Sequence, residues 1–188
     1  MTSNIFEINY NGTGASQSNN ALGMREMQER VYAKRTSQHL LIKAPPASGK
    51  SRALMFIALD KLHAQGLKKA IIAVPERSIG KSFRSTKLTD YGFYWDWEVL
   101  PKNNLTEQGS SKSKVKQFVD FMHSESPDDR ALICTHATLR FAFEQLAESD
   151  FNDVLLAIDE LHHESQDDNS LLGNALRNIL ANSTAHVV

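Results

Sequence analysis

Cysteine is almost absent from this sequence: Cys134 stands alone among 188 residues. An internal disulfide is excluded, and so is a zinc site built from clustered cysteines. Long apolar runs are missing as well. No stretch approaches the roughly 20 residues that a membrane-spanning helix needs. The first twenty residues are polar and lack the apolar core of an export signal. Nor does charge of one sign dominate, since 21 Lys and Arg meet 22 Asp and Glu for a net charge of −1. The basic excess of a typical nucleic-acid binder is lacking, so any such binding must come from a local surface. Together these absences point to a reducing, cytoplasmic setting without a membrane.

What is present reads as one globular domain. Hydrophobic residues make up 41% and charged residues 23%, ordinary values for a folded chain long enough to bury a substantial core. Residues 1–20 are rich in Asn, Ser, Gly and Thr and read as a flexible lead-in, with a short strand around Ile5–Ile8. The domain proper is expected over 21–188.

The stretch that organises the domain is Ala44-Pro45-Pro46-Ala47-Ser48-Gly49-Lys50-Ser51. It ends in Gly-Lys-Ser, the closing half of the phosphate-loop pattern G-x-x-x-x-G-K-[ST], with Ala44 where the first Gly would stand. Leu40-Leu41-Ile42 before it reads as a buried strand, and Ala53–Leu59 after it as a helix. Strand, loop, helix is the context the motif requires. Backbone N–H groups of such a loop converge on one spot, and a helix start favours anions. Pro46, Ala47, Ser48 and Gly49 would line a phosphate, Lys50 would add a point charge, and the Ser51 hydroxyl would hold magnesium.

Downstream, buried strands are expected at Ala70–Val74, Ala131–Cys134 and Val154–Ile158, with the beginning of another at His186–Val188. Strand character is also expected to run on to Val99-Leu100 from the aromatic segment Tyr91–Trp97. Helices are expected over about 23–36, from Lys50 to about Gln65 with Gly66 as its stop, around Val115, Phe118, Val119 and Met122, over about 137–147, and around Leu172–Leu180. Continuous apolar strands alternating with helices imply a three-layer α/β/α sandwich on a mainly parallel sheet. Ligands in such folds bind at the carboxyl ends of strands. Both the Gly-Lys-Ser loop and the pair Asp159-Glu160, which follows the last long apolar strand, fall at such ends. There Asp159 can hold magnesium while Glu160 orients or deprotonates an attacking water.

Ala-x-x-Ala-x-Gly-Lys-Ser together with Asp159-Glu160-Leu161-His162 resembles motifs I and II of superfamily 2 DExH-box helicases and translocases, the restriction- and repair-type proteins in particular. That group commonly has Ala at the first position of motif I. Arg25-Glu26-Met27-Gln28 is similar to the family's upstream Arg-x-x-Gln element. Ala73-Val74-Pro75-Glu76-Arg77-Ser78 resembles motif Ia, and Thr135-His136-Ala137-Thr138-Leu139 the Thr-containing segment before motif II. The resemblance spans about residues 22–188. It implies a RecA-like domain, the first of two, cut before motif III, with ATP and Mg²⁺ as ligands and a nucleic acid, DNA rather than RNA, as partner. It implies that Gln28 contacts adenine, that His162 couples the nucleotide site to the nucleic acid, and that Arg77, Thr135 and Thr138 touch the phosphate backbone. Without a second RecA-like domain and its arginine finger, this chain is expected to bind ATP–Mg²⁺ and hydrolyse little of it. Two other readings fit the same residues: a phosphate-loop ATPase that does not act on nucleic acid, and a non-catalytic nucleic-acid-binding module.

Overall fold

In the computed structural model of the protein, residues 20–107, 113–160 and 171–188 are described. Four strands, β1 (Lys69–Val74), β2 (Ala131–Thr135), β3 (Val154–Ile158) and β4 (His186–Val187), form one sheet in the order β2-β1-β3-β4. Every pairing is parallel. Among the described residues five α-helices accompany them: α1 (Glu26–Tyr32), α2 (Lys50–Ala64), α3 (Lys114–His123), α4 (His136–Phe143) and α5 (Leu171–Asn182).

The strands read as unbroken apolar runs because each is covered on both faces. Alternate residues point to opposite layers. Ala70, Ile72, Val74, Ile133, Leu155 and Ala157 pack with Leu54, Phe56, Ala58 and Leu62 of α2. Ile71, Ala73, Leu132, Cys134, Leu156 and Ile158 pack with Phe118 of α3, Leu139 of α4 and Leu176 and Ile179 of α5. The result is the expected three-layer α/β/α sandwich. Helix α2 is buried from Ala53 through Leu62 without a break, since α1 covers the flank that the sheet does not. Gly66 follows its C-cap with φ +78°, as a helix stop requires.

Several boundaries differ from expectation. Leu40–Ile42 is not a strand. Only His39 bridges to Val187, and Leu41 is 54% exposed. Pairing can continue only as far as its partner does, and β4 offers two residues. Val99-Leu100 is not a strand either. The one bridge in that region joins Thr86 to Trp97, antiparallel and outside the sheet. The aromatic segment folds onto α2 instead. Trp97 is buried and donates its indole N–H to the Phe83 carbonyl at 2.8 Å. Helix α1 is shorter than the pattern implies because Arg25 is extended at its N-cap and Gly23 has φ +71°. Within the lead-in, Asn20 is fixed: its side-chain oxygen accepts from Leu22 N and Met24 N, each at 3.0 Å. The strand expected at Ile5–Ile8 lies outside the described residues.

Two buried charges anchor the end of the sheet away from the phosphate loop. Lys69 Nζ donates to the carbonyls of Phe121, Met122 and Ser124, and so satisfies the C-terminal turn of α3. Asp129 accepts from Lys102, Asn103 and Ser124. Burial works against its charge, but these three donors outweigh burial and hold the carboxyl down at about 2.

Candidate active site

The phosphate loop and the acidic pair meet. Pro46, Ala47, Gly49, Lys50, Ser51, Asp159 and Glu160 line one cavity of about 500 Å³, at the carboxyl end of the sheet. Two local folding events bring them there. Gly49 takes φ +91° as the N-cap of α2, which lets the loop turn directly into the helix, so that Lys50 and Ser51 occupy its first turn. On the other side, β3 runs straight into the acidic pair. Asp159 N donates to the Ala73 carbonyl at 2.9 Å, so Asp159 continues the β1–β3 ladder by one residue.

Two of the three described non-Gly residues with left-handed backbone line this cavity, the third being Asp153 before β3. Ala47 and Glu160 both have φ 58°, the left-handed region that costs an L-residue about 1–2 kcal/mol. Strained residues of this kind persist where the surroundings fix them, and they cluster at functional sites.

The electrostatics agree with a site made for a cation and an anion together. Burial pushes the Asp159 carboxyl above its ordinary range, Lys50 pulls it down, Glu160 pushes it up, and His136 pulls it down. A carboxylate desolvated to this degree favours a nearby positive charge. The loop also holds a buried hydroxyl, Ser48 Oγ, which has no hydrogen-bond partner among the described residues. Buried polar groups are rarely left unsatisfied, and this one sits in the loop that would surround a phosphate. Hard oxygen donors from Ser51 and Asp159 beside Lys50 suit magnesium, which takes one or two protein oxygens and completes its shell with phosphate and water.

Gln28 reaches the cavity by another route. It is buried in α1, its Nε2 donates to the Gly49 carbonyl at 3.0 Å, and its Oε1 accepts from Arg25 N at 2.9 Å. Its amide therefore ties α1 to the root of the phosphate loop. Arg25, Arg52 and Ser82 also line the cavity, and the sequence did not single out the last two. Arg52 has a local signal, since it directly follows Gly-Lys-Ser in the first turn of α2. Its guanidinium stacks 4.8 Å from the ring centre of Tyr91. Ser82 has no signal in its own neighbourhood. It arrives because the chain leaving β1 doubles back through a 3₁₀ turn at Ile79–Phe83.

The residues expected to contact nucleic acid lie outside the cavity. Thr135 pairs with Val74 across β2 and β1, level with the start of the acidic turn. Its hydroxyl caps α4, accepting from Thr138 N at 3.3 Å and bonding Thr138 Oγ1 at 3.1 Å. Arg77 is exposed in the turn after β1. All three thus stand at the carboxyl edge, on the β1 and β2 side. His136 is buried beside Thr135 and close enough to Asp159 to influence its charge. His162 lies outside the described residues.

Comparison with known proteins places the chain in a family. The profile of the DEAD/DEAH box helicases matches residues 25–186. The chain is 63% identical over 185 residues to a protein of Bacillus subtilis (strain 168) named "Putative ATP-dependent helicase YeeB". That match covers 98% of the chain and 30% of the relative's length. No solved structure matches. Among the described residues, no helix is long and apolar enough to cross a membrane.

Proposed function

Because this chain belongs to the DEAD/DEAH box helicase family, we propose that it is the ATP-binding motor domain of an ATP-driven helicase or translocase acting on nucleic acid in the cytoplasm. The observation that carries this reading is the convergence of Lys50, Ser51, Asp159 and Glu160 on one cavity from segments about a hundred residues apart. Lys50 and the N–H groups of the loop and the α2 N-terminus bind the outer phosphates. Ser51 and Asp159 hold magnesium, which neutralises charge on those phosphates when bound. Glu160, adjacent in the same turn, orients a water against the terminal phosphate and accepts its proton. Gln28 fixes the loop from behind, and its place on the cavity wall supports a contact to the base.

Arg77, Thr135 and Thr138 supply contacts to the nucleic-acid backbone at the carboxyl edge of β1 and β2, with His162 between them and the nucleotide. DNA is the favoured polymer, on the resemblance of motifs I and II to restriction- and repair-type proteins. The domain works against a second RecA-like domain that supplies an arginine to the transferred phosphate. The 30% coverage of the relative leaves room for one there. Alone, the chain binds ATP–Mg²⁺ and turns it over slowly, since a missing arginine finger costs roughly 10³–10⁵ in rate.

The test is calorimetric binding of ATP–Mg²⁺ to this chain, and to Lys50→Ala, together with ATPase assays of the full-length protein with and without single-stranded DNA and RNA. The reading predicts binding that Lys50→Ala abolishes and turnover that nucleic acid stimulates. Binding that survives Lys50→Ala, or turnover indifferent to both polymers, would sink it.

A further inference from the structure

A second cavity, of about 530 Å³, opens at the other end of α2. The nucleotide cavity begins at Lys50, the first residue of this 15-residue helix, whereas the second reaches Leu62 and His63 in its last turn. At 1.5 Å per residue the two sites are roughly 20 Å apart. They share no lining residue.

The walls of this second cavity are aromatic. Trp95 lies flat on His63, with ring centres 4.7 Å apart and planes 7° from parallel. Tyr94 meets Trp95 edge-on at 5.4 Å and remains 60% exposed. The polar lining is acidic. Asp96, Glu98 and Asp128 contribute three carboxylates against the single guanidinium of Arg130. Arg130 is already engaged, donating to the Leu62 carbonyl at 2.6 Å. Burial and the charge of Arg130 lower the pKa of His63, which favours its neutral ring. Asp96 is held by Thr89. Glu98 and Asp128 have no ion-pair partner among the described residues.

We propose that this cavity receives an arginine side chain presented by a basic segment of a protein partner. A guanidinium is planar, stacks on indole and phenol faces, and forms paired hydrogen bonds with carboxylates. The exposed Tyr94 ring and the Trp95 indole line one cavity with Glu98 and Asp128, which supplies both the aromatic surface and the carboxylates. The same aromatics can stack on nucleobases, but the carboxylates repel the phosphates that come with them, so the charge favours the peptide. The inference does not depend on the nucleotide reading.

The test uses the 188-residue chain and a short Gly/Ser peptide carrying three arginines, with the citrulline version as its neutral counterpart. Binding is followed by tryptophan fluorescence, and Trp95→Phe assigns the signal. The arginine peptide is expected to bind saturably, and the citrulline peptide at least about tenfold more weakly. Glu98→Gln/Asp128→Asn should lose about the same factor while keeping the melting temperature and ATP binding of the unaltered chain. These two carboxylates are exposed, so this variant carries the test even if Trp95→Phe folds poorly. Equal binding of both peptides, full binding by the double variant, or no saturable signal would overturn the proposal. Displacement of the signal by a single-stranded oligonucleotide alone would overturn it in favour of nucleic acid.

Discussion

Replacing Gly49 by Ala probes the joint between α1 and the phosphate loop. Gly49 has φ +91°, so an alanine there costs about 1–2 kcal/mol in the backbone. The new Cβ would stand 2.4 Å from Gln28 Nε2. The Gln28 side chain is buried, and it uses that atom to hold the Gly49 carbonyl and its Oε1 to hold Arg25 N. Moving it away forfeits two hydrogen bonds of about 1 kcal/mol each. The total is about 3–4 kcal/mol, or roughly 6–16 °C in melting temperature for a domain of this size. Gly66→Ala is the control. Its φ of +78° carries a similar backbone cost, but nothing lies within 4 Å of the added Cβ. The difference between the two variants therefore isolates the Gln28 anchor. In a Gln28→Ala background that difference should vanish, because the clash has no partner. Differential scanning calorimetry on six chains, the two glycine variants and their parent in each background, measures all of this. If Gly49→Ala and Gly66→Ala melt together in the native background, the anchor contributes nothing and the argument for Gln28 as the tie fails.

Glu160→Gln should leave ATP–Mg²⁺ affinity within about threefold and lower turnover of the full-length protein by at least about 10²; equal turnover would remove Glu160 as the base. Lys69→Met should cost about 2–4 kcal/mol in urea unfolding, since two buried carbonyls and one half-buried carbonyl lose a charged donor. Asp129 contributes stability that is complete above its ordinary value of 3.8 and is lost as pH falls toward about 2. The acid-unfolding curve of Asp129→Asn should therefore be flatter between those limits, and an unchanged slope would contradict the assignment.

How much of this was legible in the sequence depends on what covers each segment. Strands β1, β2 and β3 were readable because both faces are buried, so their apolar runs have no breaks. Helix α2 was readable for the same reason, and α3 by its spacing, although Phe121 rather than Val119 completes its buried face. Leu40–Ile42 carries the same apolar signal, yet its partner strand is only two residues long. Hydrophobicity reports burial, and pairing length is set elsewhere in the chain. The aromatic segment misled in the same way: Trp97 fills the core from a loop. At the candidate site, Lys50, Ser51, Asp159 and Glu160 were visible because their chemistry needs a fixed local pattern. Ser82 was not, because it reaches the cavity through a tertiary fold-back. The engagement of Gln28 with a backbone carbonyl 21 positions away leaves no mark on composition either.

The edge of the sheet has a consequence for how the protein comes to be. Leu40 N donates to the Val187 carbonyl and Val187 N to the Gln38 carbonyl, while Val188 N donates to Leu156 O. The segment that feeds the phosphate loop is thus clamped by residues 147 positions further on, as in the Gln38–Ala185 contact. In a nascent chain those edge hydrogen bonds cannot form until 186–188 have been made, although Leu40 can already pack against Met27, Val31, Ala53 and Ile57. A polypeptide arrested before Ala185 would hold the stretch leading into the loop by its α1 and α2 contacts alone, with its sheet-edge hydrogen bonds unmade.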